Sequence, residues 1–231
     1  MRNKSFLIQL LCSFCFIVKF GYSQADVVST FDVDDEGWNI VEFPAPPYDA
    51  LASTPFLPNY LATGGNPDGA ISSTDRDGKL FLFSAPSTFL GDMESFYGGS
   101  LSYDLRFVDN NLVPGTPHPD VILWGNGSTI TIDFFSDPNT QTGLWESYSV
   151  SLTEAAGWHF DNLSGALASE AEIRGVLADL TGLYIRGDYW SGIDQTDLDN
   201  PRLSAVPLPP AVWLLGSGLI GLIGVARRKK A

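Results

Sequence analysis

Three aspartates near opposite ends of the acidic part of the chain, Asp32, Asp197 and Asp199, are the best candidates for metal ligands. Carboxylate oxygens are ligands that Ca²⁺ prefers. The acidic run after Asp32 lacks the regular spacing and the distant Glu of an EF-hand loop. In a jelly roll, however, the first and last strands lie side by side, so the acidic residues of the two ends could share one calcium ion. Asp197 and Asp199 could instead form only turns and backbone hydrogen bonds. Both interpretations, a structural calcium ion and a purely structural role, stay open.

Tryptophans are the second kind of candidate, because exposed aromatic rings stack on sugars whereas buried rings only fill a core. Trp158 and Trp190 lie near Gly, Asp and Ser residues, which favours exposed loop positions, while Trp124 ends an apolar strand. We therefore expect Trp158 and Trp190 to be the rings that could bind polysaccharide. Packing inside the protein is the alternative for both.

Residues for catalysis are scarce. The chain has two histidines, His118 and His159, and it lacks the nucleophile, zinc-protease and phosphate-loop motifs. Carboxylate pairs of the glycosidase kind would form by chance among 27 acidic residues, so no pair can be selected. The sequence predicts a protein that is not an enzyme, and a carbohydrate-active enzyme or its accessory module is the alternative.

The charge of the chain limits its partners. The formal net charge is −14, and every acidic residue lies between Asp26 and Val206. Such a surface disfavours nucleic acid, anionic polysaccharide and anionic lipid as direct partners, and it suits cations or neutral glycans. Solubility outside the cell is a sufficient explanation as well.

Short β-rich runs separated by Gly, Pro, Asn and Asp dominate the middle of the chain. In residues 99–108 and 146–152 apolar and polar side chains alternate, as in half-buried antiparallel strands. Residues 169–180 have helical spacing, and Ser169 with Glu172 predicts a capping box. The segment 44–70 is expected to be a long surface loop. This pattern predicts a mainly β protein, a jelly-roll β-sandwich with one short helix.

The N-terminus, residues 1–25, has the features of a secretory signal peptide: basic residues, an apolar stretch and small residues before a cleavage point near Asp26. Both cysteines, Cys12 and Cys15, fall inside it, so the exported chain would fold without disulfides. Its partner in export would be the translocon.

The C-terminus, residues 206–231, combines a proline motif, an apolar segment over 211–226 and a basic end. Sixteen residues in a helix rise about 24 Å, slightly less than the roughly 30 Å hydrocarbon core of a bilayer. The basic end favours the cytoplasmic side and therefore places the rest of the chain outside. The motif consists of Val206, Pro207, Leu208, Pro209 and Pro210, and the basic end consists of Arg227, Arg228, Lys229 and Lys230.

This tail resembles the PEP-CTERM sorting signal of Gram-negative bacteria that make exopolysaccharide, with Val-Pro-Leu-Pro-Pro in place of the usual Pro-Glu-Pro. The resemblance implies an exosortase that cleaves near the prolines. The chain would be membrane-anchored, with a cytoplasmic C-terminus, until cleavage releases it to the cell surface or the extracellular matrix.

The segment 26–205 resembles the laminin B, or laminin IV type A, domain. The motifs that carry the resemblance follow one another in the family's order: Phe89-Leu90-Gly91, Tyr97-Gly98-Gly99, Asp120-Val121-Ile122-Leu123, Ile185-Arg186 and Leu198-Asp199-Asn200. The family implies a galactose-binding-like jelly roll with a structural or adhesive use and with no catalytic residues to transfer. We expect a non-catalytic module that binds extracellular polysaccharide or another surface protein.

Overall fold

Short β-strands form two antiparallel sheets that face each other across one apolar core. The computed structural model describes residues 25–43, 54–76, 79–108, 117–137 and 143–206. The strands are β1 (Val27–Val28), β2 (Asn39–Phe43), β3 (Asn59–Gly65), β4 (Asp68–Thr74), β5 (Leu80–Ser84), β6 (Ser100–Phe107), β7 (Val121–Gly125), β8 (Ser128–Ile132), β9 (Trp145–Ser151), β10 (His159–Phe160), β11 (Leu180–Arg186) and β12 (Gln195–Ser204). The helix α1 spans Glu170–Ala178.

Each sheet has six strands. Sheet A has the order β3-β4-β12-β6-β9, and β1 pairs with the far half of β12 through Val27 opposite Leu203. Sheet B has the order β10-β8-β7-β11-β5-β2. The first and last strands therefore lie side by side, as a jelly roll requires. The predicted mainly β sandwich with one short helix is confirmed for the part of the chain that the structure describes.

The alternation on β6 explains why sheet A has one apolar face. Leu101, Tyr103, Leu105 and Phe107 are at most 1% exposed and enter the core, while Ser102 and Arg106 point the other way. The predicted helix also forms where the sequence places it. Ser169 and Glu172 make the reciprocal capping bonds, and the buried face of α1 consists of Ile173, Val176 and Leu177.

One prediction about the fold is wrong. The segment 44–70 was expected to be a loop, yet residues 59–65 and 68–74 form the β3–β4 hairpin. Its turn, Gly64–Asp68, folds against the outer face of sheet A, where the carbonyl oxygen of Gly64 accepts a hydrogen bond from Arg106. A Cβ on Gly69 would lie 1.8 Å from the carbonyl oxygen of Phe31. Glycines are typical of loops in a sequence, but in this segment they are needed because two backbones pack closely together.

Candidate functional site

The pairing of β1 with β12 brings Asp32 and Asp199 toward each other. Asp199 is fully buried and accepts hydrogen bonds from the backbone N–H groups of Asn66 and Asn200. Burial, together with the charges of Asp104 and Asp32, raises the pKa of Asp199 to about 6. Asp32 is exposed and accepts a hydrogen bond from the Thr30 hydroxyl. This arrangement keeps Asp199 and Asp32 as potential ligands of one cation.

Asp197 has a different partner. Its carboxylate is 2.7 Å from Nη2 of Arg106, and Nε of the same guanidinium donates to it at 2.8 Å. Asp197 is fully buried, so this two-point ion pair neutralises a charge that would otherwise lie unpaired under the β3–β4 hairpin. A structural role, which the sequence offered beside calcium binding, therefore accounts for Asp197.

The turn of the hairpin is fixed by a polar network. The side-chain amide of Asn200 donates to Asp104 at 2.9 Å and to the carbonyl oxygen of Asn66 at 2.6 Å. Asn66 in turn donates to Asp104 at 3.2 Å. Asn200 has a φ of 52°, a left-handed conformation that Asn tolerates well. The turns and backbone bonds that the sequence offered as an alternative are thus present around Asp199.

Trp158 and Trp190 are not exposed, and the prediction that they could stack on sugar is wrong. Their side chains are 0% and 2% exposed. The indole N–H of Trp158 donates to the carbonyl oxygen of Ser151, and the ring of Trp190 contacts Phe107 with centroids 5.1 Å apart. The glycines and polar residues beside them are turns that return each ring to the core. Their local composition gave no sign of this.

A partly exposed tryptophan that the sequence did not single out lies on the outer face of sheet A. Trp145 is opposite Arg106 in the β6–β9 register, and the guanidinium lies 4.7 Å from the ring centroid. Its indole N–H donates to the carbonyl oxygen of Gly64 at 3.0 Å. Exposed serines continue this row along β9. Together these side chains form the Trp145 surface: Arg106, Trp145, Ser147, Ser149 and Ser151.

The second concentration of charge lies at one end of the sandwich, around the buried Arg186. Nη1 of Arg186 is 2.9 Å from Oδ1 of Asp137 and donates to the carbonyl oxygen of His118. Carboxylate oxygens of Asp120, Asp133 and Asp137 all lie within 4.8 Å of one another. We call these three side chains the Asp120 cluster. Asp120 begins the motif Asp120-Val121-Ile122-Leu123, and Arg186 ends the motif Ile185-Arg186. A charged residue within such an apolar run is the sequence signal that could have pointed to this site.

Burial disfavours the ionised form of the carboxyl groups at this end of the sandwich. Burial, together with the nearby charge of Asp133, raises the pKa of Asp120 to about 7, although the N–H groups of Phe134 and Phe135 oppose the shift. Two further aspartates, in the segment that follows Arg186, also have raised pKa values. Burial raises the pKa of Asp188 to about 8 and that of Asp194 to about 6. The arrangement can bind protons or cations.

The two histidines make structural contacts. Nδ1 of His159 lies 2.9 Å from the carbonyl oxygen of Gly165. The backbone of His118 binds Arg186, and burial lowers the pKa of its imidazole. Neither contact joins a histidine to a hydroxyl or thiol nucleophile.

Most of the predicted terminal segments lie outside the described residues: positions 1–24 of the predicted signal peptide 1–25, positions 207–210 of the predicted sorting motif, the apolar segment 211–226 and the basic end 227–230. Val206 is described and is 48% exposed. Within the described ranges, no helix has the length and apolar character needed to cross a bilayer.

Known proteins resemble this chain over most of its length. The family model for laminin B (domain IV) matches residues 82–211. Laminin subunit gamma-2 of Homo sapiens is 34% identical over 197 residues, which cover 81% of this chain and 15% of that subunit. Laminin subunit gamma-1 of Danio rerio is 26% identical over 198 residues, which cover 84% of this chain and 11% of that subunit. This chain therefore spans a small part of the relatives it matches.

Among solved structures, the L4b domain of human laminin alpha-2 has a similar fold. The TM-score is 0.57 at 16% sequence identity, and the match covers 80% of this chain and 98% of that domain. The described sandwich thus corresponds in fold to nearly the whole of an isolated laminin domain.

Proposed function

This chain belongs to the laminin B (domain IV) family, and from that premise we propose that it is a non-catalytic extracellular module that binds polysaccharide or another matrix component. The observation that carries the proposal is the family match over residues 82–211, which contains most of sheet B and the strands β6, β9 and β12 of sheet A. The function of whole laminin subunits is not transferred to this chain, because this chain covers 15% or less of the two subunits described above. The ligand and the cellular setting therefore rest on this chain's own residues.

The sequence supports export and surface sorting. In this proposal residues 1–25 are a signal peptide read by the translocon, 26–205 are the laminin-B-like domain, and 206–231 are a PEP-CTERM-type tail read by an exosortase. Both cysteines lie before residue 26, so the exported part would be insensitive to the oxidising conditions outside the cell. Before processing, the tail would hold the chain in the membrane with its C-terminus in the cytoplasm.

This sorting model has a direct test in the producing cell. The chain recovered from the cell surface should be shorter than the full chain by the signal peptide and by a piece of about the tail's length. A variant that lacks residues 206–231 should no longer reach the surface by this route. Recovery of the mature chain with an intact basic end would contradict the model.

The described contacts support the non-catalytic part of the proposal. His159 contacts a backbone carbonyl, and Asp197 is occupied by Arg106. Asp199 is occupied by two backbone N–H groups. Residues tied into such bonds stabilise the fold, whereas a general acid or base must be free to meet a substrate.

The Trp145 surface is where we propose that a neutral glycan binds. Trp145 offers part of a ring for stacking, Arg106 offers guanidinium donors, and the serines of β9 offer hydroxyl groups on the same face. Because Trp158 and Trp190 are buried, this surface replaces them as the ligand-binding region in the proposal.

A structural calcium ion between Asp32 and Asp199 remains part of the proposal. The support is that β1 and β12 are paired and that the negative charge of Asp32 acts on Asp199. Such an ion would tie the start of the domain to its last strand. Calcium should then raise the melting temperature of the full chain, and Asp32→Asn should reduce that increase.

The binding proposal is tested by co-sedimentation of the full chain, purified in mild detergent, with the producer's own insoluble matrix polysaccharide. The parent chain should sediment with the polymer, and Trp145→Ala should clearly reduce the bound fraction because it removes the aromatic ring on which a sugar would stack. Trp124→Ala, on sheet B, is the matched control and should bind as the parent does. Equal binding by all three chains would contradict the Trp145 surface, and no binding by any would contradict the proposed function.

A further inference from the structure

The geometry of the Asp120 cluster matches the size of a calcium ion. Oxygens of Asp120, Asp133 and Asp137 lie within 4.8 Å of one another. Ca²⁺ binds oxygens at about 2.3–2.6 Å, so two ligands on opposite sides of one ion are about 4.6–5.2 Å apart. Three carboxylates at this spacing can therefore reach one ion together. The cluster lies just before β7 and after β8, strands of sheet B, and it is formed by residues other than the Asp32 and Asp199 pair.

The structure holds Asp120 in a fixed orientation. One carboxylate oxygen accepts the backbone N–H groups of Phe134 and Phe135, at 2.8 and 3.3 Å. The other accepts the hydroxyl of Tyr189 at 3.3 Å. A carboxylate has about four acceptor positions, so capacity for a further ligand remains. A buried ligand whose orientation is fixed in advance loses little entropy when an ion binds.

The cluster is open on one side. Asp120 is 0% exposed, Asp137 is partly exposed and Asp133 is exposed. An ion can thus enter from solvent past Asp133 and meet the buried carboxylate at the inner end. Arg186 pairs with Asp137 and supplies one positive charge, which leaves negative charge in excess within this group of four side chains.

A buried hydroxyl gives the independent observation. Within the described part of the chain, Oη of Tyr103 is buried and has no hydrogen-bond partner. Tyr103 packs beside the residues that hold Asp120, since its ring centroid is 6.4 Å from that of Phe134. The charge of Asp120 acts on the Tyr103 hydroxyl, and Tyr103 acts on Tyr189 in the same way. A hydroxyl left unpaired at this depth is costly, and an ion or its bound water would supply the missing partner.

We propose that Asp120, Asp133 and Asp137 bind one calcium ion at the end of the sandwich, with Tyr103 facing the site directly or through a bound water. Arg186 holds Asp137 in position and limits the excess charge. The ion would bridge the start of β7 to the segment that follows β8. The competing explanation is a proton shared between Asp120 and Asp133, and it predicts no calcium binding at this place.

The test is calorimetric titration of calcium into the full chain in mild detergent at neutral pH, on an Asp32→Asn background. That background removes the calcium site proposed at Asp199, so failure of one site is distinguished from failure of the other. Asp133→Asn and Asp137→Asn should each weaken calcium binding on the order of tenfold or more, because each removes a charged oxygen ligand. Asp161→Asn is the matched control, since it neutralises an exposed aspartate outside the cluster and should leave the affinity unchanged.

The calcium titrations of these variants either support the site or overturn it. Loss of affinity in the two cluster variants with parent-like binding by the control supports the site. The inference is overturned if the background chain binds no calcium at about 1 mM, the weak end of calcium sites in extracellular modules. It is overturned equally if Asp161→Asn loses as much affinity as the cluster variants, which would indicate general attraction to an acidic surface. Each variant is first melted in chelator, and if one fails to melt cooperatively the other decides.

Discussion

Arg186 and Asp137 form an ion pair in which Nη1 lies 2.9 Å from Oδ1, although the arginine side chain is only 1% exposed. The same guanidinium lies 4.2 Å from the ring centroid of Tyr189. Arg186 ends β11 and thereby joins sheet B to the loop after β8 and to the aromatic part of the core. A buried guanidinium group with these contacts stabilises the contact between sheet B, the loop after β8 and the core.

Loss of Arg186 should therefore be severe. Arg186→Met keeps most of the side-chain volume but leaves Asp137 and its acidic neighbours without their counter-charge. Removing one partner of a buried ion pair costs about 3–5 kcal/mol of unfolding free energy. Urea unfolding in chelator measures this cost. Arg202→Met is the control, because Arg202 pairs with Asp26 at the surface and its loss should cost at most about 1 kcal/mol. Equal costs for the two variants would contradict the structural role of Arg186.

The buried aspartates predict an unusual pH dependence. The pKa values of Asp120, Asp188 and Asp194 are raised from 3.8 to about 7, 8 and 6. The folded chain therefore holds protons that the unfolded chain releases above about pH 4, so folding stability falls as pH rises from about 4 to about 8. Carboxyl groups with lowered pKa values, such as Asp26, act in the opposite direction but only at lower pH.

The melting temperature in chelator should be higher at about pH 5.5 than at about pH 8. Calcium should reduce the difference, because it binds the ionised carboxylates that are otherwise unfavourable. A melting temperature that rises over this interval in chelator would mean that the buried aspartates are ionised without cost.

Tyr103→Phe should affect folding stability differently when the Asp120 cluster is empty and when it binds calcium. In chelator the variant should be as stable as the parent or more stable, because it removes a buried hydroxyl without a partner, which costs ~1–3 kcal/mol. In saturating calcium the parent should regain the advantage. Tyr189→Phe is the matched comparison, since it loses a bond to Asp120 and should be less stable than the parent by about 1 kcal/mol in chelator. The same response from both variants would be inconsistent with this account.

The buried tryptophans should affect stability. Trp158→Ala and Trp190→Ala each leave a large cavity in the core and should cost about 3–5 kcal/mol of unfolding free energy. Trp145 is partly exposed, so Trp145→Ala should cost clearly less. Denaturant unfolding of the three variants gives the comparison. A cost for Trp158→Ala as small as that for Trp145→Ala would mean that Trp158 is not in the core.

The sequence predicted the parts of the fold that depend on local periodicity. The alternation on β6 and the capping box at Ser169 are both confirmed, because neighbouring residues determine them. The β3–β4 hairpin was missed because its glycines serve contacts with residues distant in sequence, Gly64 with Arg106 and Gly69 with Phe31, which composition does not reveal. Burial of Trp158 was missed because the composition of the adjacent turns does not reveal that the ring packs into the core.

The candidate sites also combine a feature that the sequence predicted with contacts that only the strand register creates. Pairing of β1 with β12 was predicted from the jelly-roll order and is confirmed, which brings Asp32 toward Asp199. The ion pair of Asp197 with Arg106 joins residues 91 positions apart, and only the register of β6 against β12 creates it. Asp120 and Asp133 meet for a similar reason, through the pairing of β7 with β8.

Above all, we propose that this laminin-B-like chain binds matrix polysaccharide without altering it. The most direct measurement is size-exclusion chromatography of the producer's soluble exopolysaccharide after incubation with the full chain in mild detergent, with detection of both protein and polymer. We expect the chain to elute with the polymer and the polymer's size distribution to stay the same over a long incubation. A polymer that becomes shorter, or a chain that always elutes separately from it, would contradict the claim.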